Sequence, residues 1–141
     1  MLIVDSNIWA YYFDDQTPEH KYVVKPLEEA LHTEEVAINT VIIIEVAHFL
    51  IKSLGPILGK QKLKTFLSYA PIVAELTYVV ALKTIDLLAE YSHLGIGGRD
   101  AAILASMKQL GTVKIMTHDE AFKRIPSIET ADPIPKKLKM S

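Results

Sequence analysis

The chain has 141 residues, half of them hydrophobic, with 15 Lys and Arg against 17 Asp and Glu and no cysteine. That length suits one domain, and the composition excludes a disordered chain, a disulfide framework and a thiolate zinc site. A net charge of −2 excludes a polycation that holds nucleic acid by bulk charge alone, no apolar run reaches the ~18 residues of a membrane span, and no signal-peptide pattern opens the sequence, so a cytoplasmic protein is expected.

The first apolar run, Leu2-Ile3-Val4, is short, branched and bounded by polar residues, which predicts a buried strand. It ends in Asp5, and the region past the carboxyl end of a strand is where open α/β sheets bind ligands. A short helix over Asn7 to Phe13 follows, with Ser6 or Asn7 as its cap. After a turn at Asp14 to Pro18, a helix runs from about Glu19 to His32, and Pro26 is expected to bend or split it.

Val36-Ala37-Ile38 is a second strand, and Asn39 or Thr40 caps a third helix reaching about Ser53. That helix reads as apolar nearly all round, with Glu45, His48 and Lys52 forming one polar stripe that should face a cleft. Its β-branched start, Val41 to Ile44, also fits a strand. Gly55-Pro56 and Gly59 read as breaks, followed by a helix from about Lys60 that ends before Pro71.

A third strand is expected at Ile72 to Leu76 and a helix from Thr77 to His93, closed by Gly95, Gly97 and Gly98. Asp100 opens a helix to about Leu110, with Ile103, Leu104, Met107 and Leu110 inward and Gly111 as its C-terminal cap. Val113 to Met116 is a strand, a short helix reaches Arg124, and a last strand is expected at Ser127 to Thr130. Residues 1–132 form the expected domain. Residues 133–141, with Pro133, Pro135, Lys136, Lys137 and Lys139, form an expected flexible basic tail. Lys60, Lys62 and Lys64 read as a solvated face. Strands alternating with helices imply an α/β fold, a mostly parallel sheet of four to five strands with helices on both faces.

Four acids occupy parallel places in this plan: Asp5 after the first strand, Glu45 on the polar stripe, Asp100 at a helix start and Asp119 after a strand. Asp100 and Asp119, each taken alone, read first as ordinary helix caps. Glu45 alone reads as a partner of Lys52 or His48, and Asp5 alone as an acceptor for backbone amides. Together they suggest one anionic pocket. Two unit charges ~5 Å apart repel by roughly 3 kcal/mol at an effective dielectric of ~20, so such acids need protons or a cation. A hard divalent ion with oxygen ligands meets that need and can supply a hydrolytic water.

The ordered set Asp5-Ser6-Asn7, Thr40-x-x-x-x-Glu45, Gly98-Arg99-Asp100-Ala101-Ala102-Ile103-Leu104-Ala105 and Thr117-His118-Asp119 resembles the PIN-domain nucleases, and among them the toxin ribonucleases of VapBC toxin–antitoxin modules. The resemblance spans nearly the whole chain. It implies a PIN-like three-layer sandwich and an endoribonuclease site with Mg2+ or Mn2+. It carries the catalytic acids onto Asp5, Glu45, Asp100 and Asp119, and a hydroxyl near the last acid onto Thr117. Ser6 stands where the family often has Thr. Asp5 and Asp100 are the expected main metal ligands, with Ser6 and Thr117 orienting water or phosphate. The resemblance also implies an RNA substrate, a homodimer and a VapB-type antitoxin that blocks the acidic groove.

Arg99 and Asn7 are further candidates for substrate contact, and Arg99 reads equally as a phosphate ligand or a partner of the acids. His118 reads as a supporting residue rather than a base. Trp9 and Tyr12 read as packing rather than base stacking. Other readings are a stand-alone RNA-processing nuclease, a non-catalytic RNA- or protein-binding module of the same fold, and a di-iron carboxylate bundle built on Glu45-x-x-His48 and Glu90-x-x-His93. A dehalogenase-type phosphatase is disfavoured because Asn7 stands where its second aspartate belongs.

Overall fold

The computed structural model describes residues 1–69 and 72–136. Pro71, Lys137 and Lys139 lie outside the described residues, as does most of the expected tail. Five strands, β1 Leu2–Val4, β2 Val36–Asn39, β3 Ile72–Ala74, β4 Lys114–Met116 and β5 Glu129–Ala131, form one sheet in the order β3-β2-β1-β4-β5. Every pairing is parallel. β1 is central, pairing Leu2 with Val36 on one side and Val4 with Met116 on the other. Its three residues are buried, as expected for an apolar run covered on both faces.

Six helices connect the strands: α1 Ser6–Phe13, α2 His20–Thr33, α3 Thr40–Leu54, α4 Pro56–Tyr69, α5 Tyr78–Tyr91 and α6 Gly98–Leu110. The first two crossovers step from β1 to β2 to β3, and the third returns across the sheet to β4. Right-handed crossovers therefore place α1–α4 on one face and α5 and α6 on the other. The packing agrees: α1 meets α2 and α3, α3 meets α4, and α5 meets α6. This is the three-layer sandwich expected, and it excludes the four-helix bundle that a di-iron site requires. The chain reverses its direction of winding between β1 and β4, the switch point where open α/β sheets leave a crevice.

Several local expectations change. Asp5, not Ser6 or Asn7, caps α1, accepting the Ser6 amide at 2.7 Å. α2 runs unbroken through Pro26. α4 begins at Pro56, because proline lacks only an amide that the first turn leaves unpaired. Gly59 lies inside α4, where a Cβ would stand 2.8 Å from the Leu50 carbonyl oxygen, so it permits close approach of α3 and α4 rather than a break. The β-branched start of α3 is helical because Asn39 Oδ1 accepts the Ile42 amide at 2.8 Å. α3 is not buried all round. Its inward face is Ile42, Val46 and Leu50, while Ile44 is 69% exposed. α6 is buried from Asp100 to Met107, broader than the predicted stripe. β5 starts two residues late because Ser127 takes a left-handed turn, φ 68°.

Trp9 and Phe66 form the centre of the α1–α4 layer, with ring centroids 4.8 Å apart. The Trp9 indole N–H donates to the Val4 carbonyl at 3.1 Å, which fixes α1 beneath the end of β1.

Candidate active site

Asp5 follows the last residue of β1 and is fully buried. A carboxylate so placed needs several donors, and it has them. Oδ1 accepts the Ser6 amide and the Arg99 guanidinium, and Oδ2 accepts the Thr117 hydroxyl at 2.6 Å. Thr117, just past β4, is itself fully buried, and its oxygen accepts the Asp119 amide at 3.0 Å. One hydroxyl thus holds two of the acids in register across the switch point.

Asp119 and Asp100 combine the two roles that the sequence left open. Asp119 Oδ1 caps the following 3-10 turn by accepting the Ala121 amide at 3.0 Å, and its Oδ2 lies 3.9 Å from Arg99 Nη1. Asp100, at the third position of α6, accepts the Gly97 amide on Oδ2 at 3.4 Å and Arg99 Nη1 on Oδ1 at 3.0 Å. Glu45 comes from α3, in its second turn beyond the Asn39 cap, and its Oε2 accepts Arg99 Nε at 2.6 Å. Glu45 Oε1 is buried and has no hydrogen-bond partner. Asn39 Nδ2 donates to Ser106 Oγ at 3.1 Å, so the start of α3 is tied to α6 and Glu45 is set opposite Asp100.

All four predicted acids therefore gather on one point, and a guanidinium stands at that point. Arg99 is hydrogen-bonded to Asp5, Glu45, Asp100 and the Ser6 hydroxyl, the last at 2.9 Å. Burial works against its charge, but Asp5 and Glu45 raise its pKa above the ordinary arginine value. The Asp100 carboxyl is pushed up by burial and by Asp119, with the Gly97 amide and Arg99 opposing. Of the two roles open to Arg99, the structure takes the carboxylate partner. Its central position was not legible beyond its adjacency to Asp100. Asn39 and Ser106 were not singled out as positioning residues, because their bond joins elements 67 residues apart.

The donor set suits a hard divalent cation, since it consists of carboxylate oxygens with an unpartnered Glu45 Oε1 among them. Among the described residues no three His, Asp or Glu side chains stand as a ready-made metal cage, and Arg99 lies between the acids.

Beside the acids, Ser6, Asn7, Ala10, Tyr11, Ile44, Glu45, His48 and Phe49 line an open groove of about 470 Å³. The polar stripe of α3 thus meets a cleft at Glu45 and His48, while Lys52 is not among its lining. Asn7 Oδ1 accepts the His118 amide at 3.4 Å, and the His118 ring pairs with Asp132 at 3.0 Å, a supporting position. Trp9 is core, and the Tyr12 hydroxyl donates to Glu28 at 2.8 Å. Lys60 and Lys64 share one face of α4, and Lys62 lies on another beside Tyr12.

Among solved structures, the fold is similar to FitAcB from Neisseria gonorrhoeae, with TM-score 0.75 and 18% identity over 94% of this chain and 98% of that one. VapC20 from Mycobacterium tuberculosis, described as a sarcin–ricin loop cleaving toxin, superposes with TM-score 0.73 and 17% identity over 87% and 93%. VapBC2 from Rickettsia felis, solved with a promoter DNA fragment, gives 0.72 and 21% over 93% and 97%. No curated protein matches the sequence. The family model for the PIN domain matches residues 2–128. That span contains every strand but the last three-residue edge and every acid that the fold brings together, and this chain belongs to the PIN domain family.

Proposed function

We propose that the chain is a metal-dependent endoribonuclease that hydrolyses RNA phosphodiester bonds, acting in the cytoplasm as the toxin of a toxin–antitoxin pair. The observation that carries this reading is the convergence of Asp5, Glu45, Asp100 and Asp119 at the switch point of a parallel sheet. Asp5 and Asp100 would be the main ligands of a magnesium or manganese ion, with Glu45 and Asp119 completing the set. Bound there, the ion supplies a nucleophilic water and neutralises charge on the phosphate. Thr117 keeps Asp5 and Asp119 in place, Ser6 would offer a hydroxyl to phosphate or water, and the unpartnered Oε1 of Glu45 would be its contribution to the metal site.

The groove continues from these acids past Asn7, Tyr11 and Phe49, and aromatic rings beside an open channel suit an unstacked strand of RNA. The relatives support the wider reading: VapC20 is described as cleaving the sarcin–ricin loop, and several others are toxin–antitoxin complexes. A VapB-type antitoxin would cover the same groove, where Ile44 is exposed. A homodimer is supported by the outer face of α5, where Tyr78, Val79, Leu82 and Ile85 stand exposed in a helical stripe.

Incubation of the purified protein with RNA tests the activity. Cleavage is expected with magnesium or manganese, is abolished by EDTA, and falls by about 100-fold or more in Asp5→Asn, the scale of losing one electrostatic contact to the reaction. Cleavage that persists in EDTA overturns the reading. The guanidinium seated among the acids favours one second reading, a non-catalytic binding module; RNA binding without cleavage at saturating metal would establish it.

A further inference from the structure

We propose that Arg99 is a built-in counter-cation that occupies the acid cluster of the metal-free protein and must swing out before a divalent cation can bind. The inference rests on the metal-dependent reading above.

Arg99 reaches the cluster from the second position of α6, and three of its nitrogens are each committed to a different carboxylate. Nε takes Glu45, Nη1 takes Asp100 and lies within ion-pair distance of Asp119, and Nη2 takes Asp5. The guanidinium thus engages one oxygen of each of Asp5, Glu45 and Asp100 and places a positive charge among them, so it and a divalent cation would compete for the same carboxylates. The displacement is sterically open. The Arg99 side chain is 29% exposed, whereas Asp5 beneath it is fully buried, so the arginine can leave and the deepest acid cannot.

The contact also explains how the metal-free chain folds with four acids at one point. The planar, permanently charged fork of arginine satisfies several carboxylates at once, which a lysine ammonium does less well. Two consequences follow, with opposite signs. Arg99 stabilises the metal-free protein and weakens metal binding. If the open state is about a tenth of the metal-free population, apparent affinity is reduced about tenfold.

The test compares wild type, Arg99→Gln and Arg99→Lys by calorimetric titration with magnesium and manganese chloride and by thermal melting without metal. Arg99→Gln is expected to bind metal about tenfold more tightly, to melt at lower temperature without metal, and to recover much of that loss at saturation. Arg99→Lys should fall between. In isotope-labelled wild type, the Arg99 Nε–H should exchange slowly with solvent without metal and quickly once metal is saturating. An Arg99→Gln protein that binds metal no more tightly than wild type overturns the proposal, as does Nε–H protection that persists at saturation. Should Arg99→Gln be unfolded without metal, folding on metal addition supports the proposal and failure to fold at saturating metal overturns it. No binding by any of the three proteins overturns the metal-dependent reading and the inference with it, whereas equal binding overturns the inference alone.

Discussion

A single hydroxyl illustrates how much of this site depends on individual bonds. Thr117 Oγ1, itself fully buried, gives its hydrogen to Asp5 in buried surroundings and accepts the Asp119 amide in half-buried ones. Thr117→Val keeps the shape and removes both bonds, and it should destabilise the protein by about 1–3 kcal/mol in urea unfolding, while Thr117→Ser recovers much of that loss. Titration gives a second expectation, from two aspartates shifted in opposite directions. Asp100 is raised by burial and Asp119, so the unfolded chain releases this proton at lower pH than the folded one. Metal-free stability from this group therefore falls as pH rises from the ordinary value of 3.8 through the raised one, and metal affinity rises over the same window. Asp132 is lowered: burial would raise it, but Lys123, the Ile134 amide and His118 outweigh that. Its contribution is present above 3.8 and is lost as pH falls through its lowered value. Thermal melts of Asp100→Asn and Asp132→Asn across the acid range should show the first slope flattened and the second acid loss removed.

At the level of elements, the site depends on how closely helices approach one another. Gly59 lets α4 lie on the backbone of α3, and Gly59→Ala would press a methyl group to 2.9 Å from the Ile51 Cα. About 1–3 kcal/mol of destabilisation is expected in chemical denaturation, from overpacking that backbone cannot relieve. The Asn39 cap does two things, holding the first turn of α3 and bonding Ser106 on α6. Asn39→Ala should cost about 1–2 kcal/mol, and a double-mutant cycle with Ser106→Ala should show coupling. The sequence located these helices well where a cap or a period marked them, as at Asn39 and Gly111. It misplaced the start of α4 because Gly and Pro read as breakers, whereas here proline begins the helix and glycine serves a contact that only packing creates.

At the level of the whole molecule, the winding of the chain decides what faces what. Both halves of the sheet wind outward from β1 and β4, leaving a crevice above their carboxyl ends, and residues 5, 45, 100 and 119 arrive there from four separate connections. The same winding leaves α5 on the outer surface of the second helical layer with Tyr78 78% exposed. If that stripe closes a homodimer, Ile85→Asp should shift the protein to monomer in light scattering without lowering its melting temperature at low concentration. An unchanged mass would remove the stripe as the contact.

The fold class and the positions of three of the acids were legible in the sequence because they rest on local chemistry: short branched runs make buried parallel strands, and carboxylates sit at strand ends and helix starts, whereas Glu45, inside a helix, was marked by its polar stripe and the family resemblance. Asp5, Asp100 and Asp119 could be named from position alone, each beside a strand end or a helix start. The tertiary structure alone decided what neutralises them. Arg99 is adjacent to Asp100 in the chain, but its partners Asp5 and Glu45 lie 94 and 54 residues away, and only a fold that brings α6 against the ends of β1 and α3 makes a guanidinium their shared counter-charge.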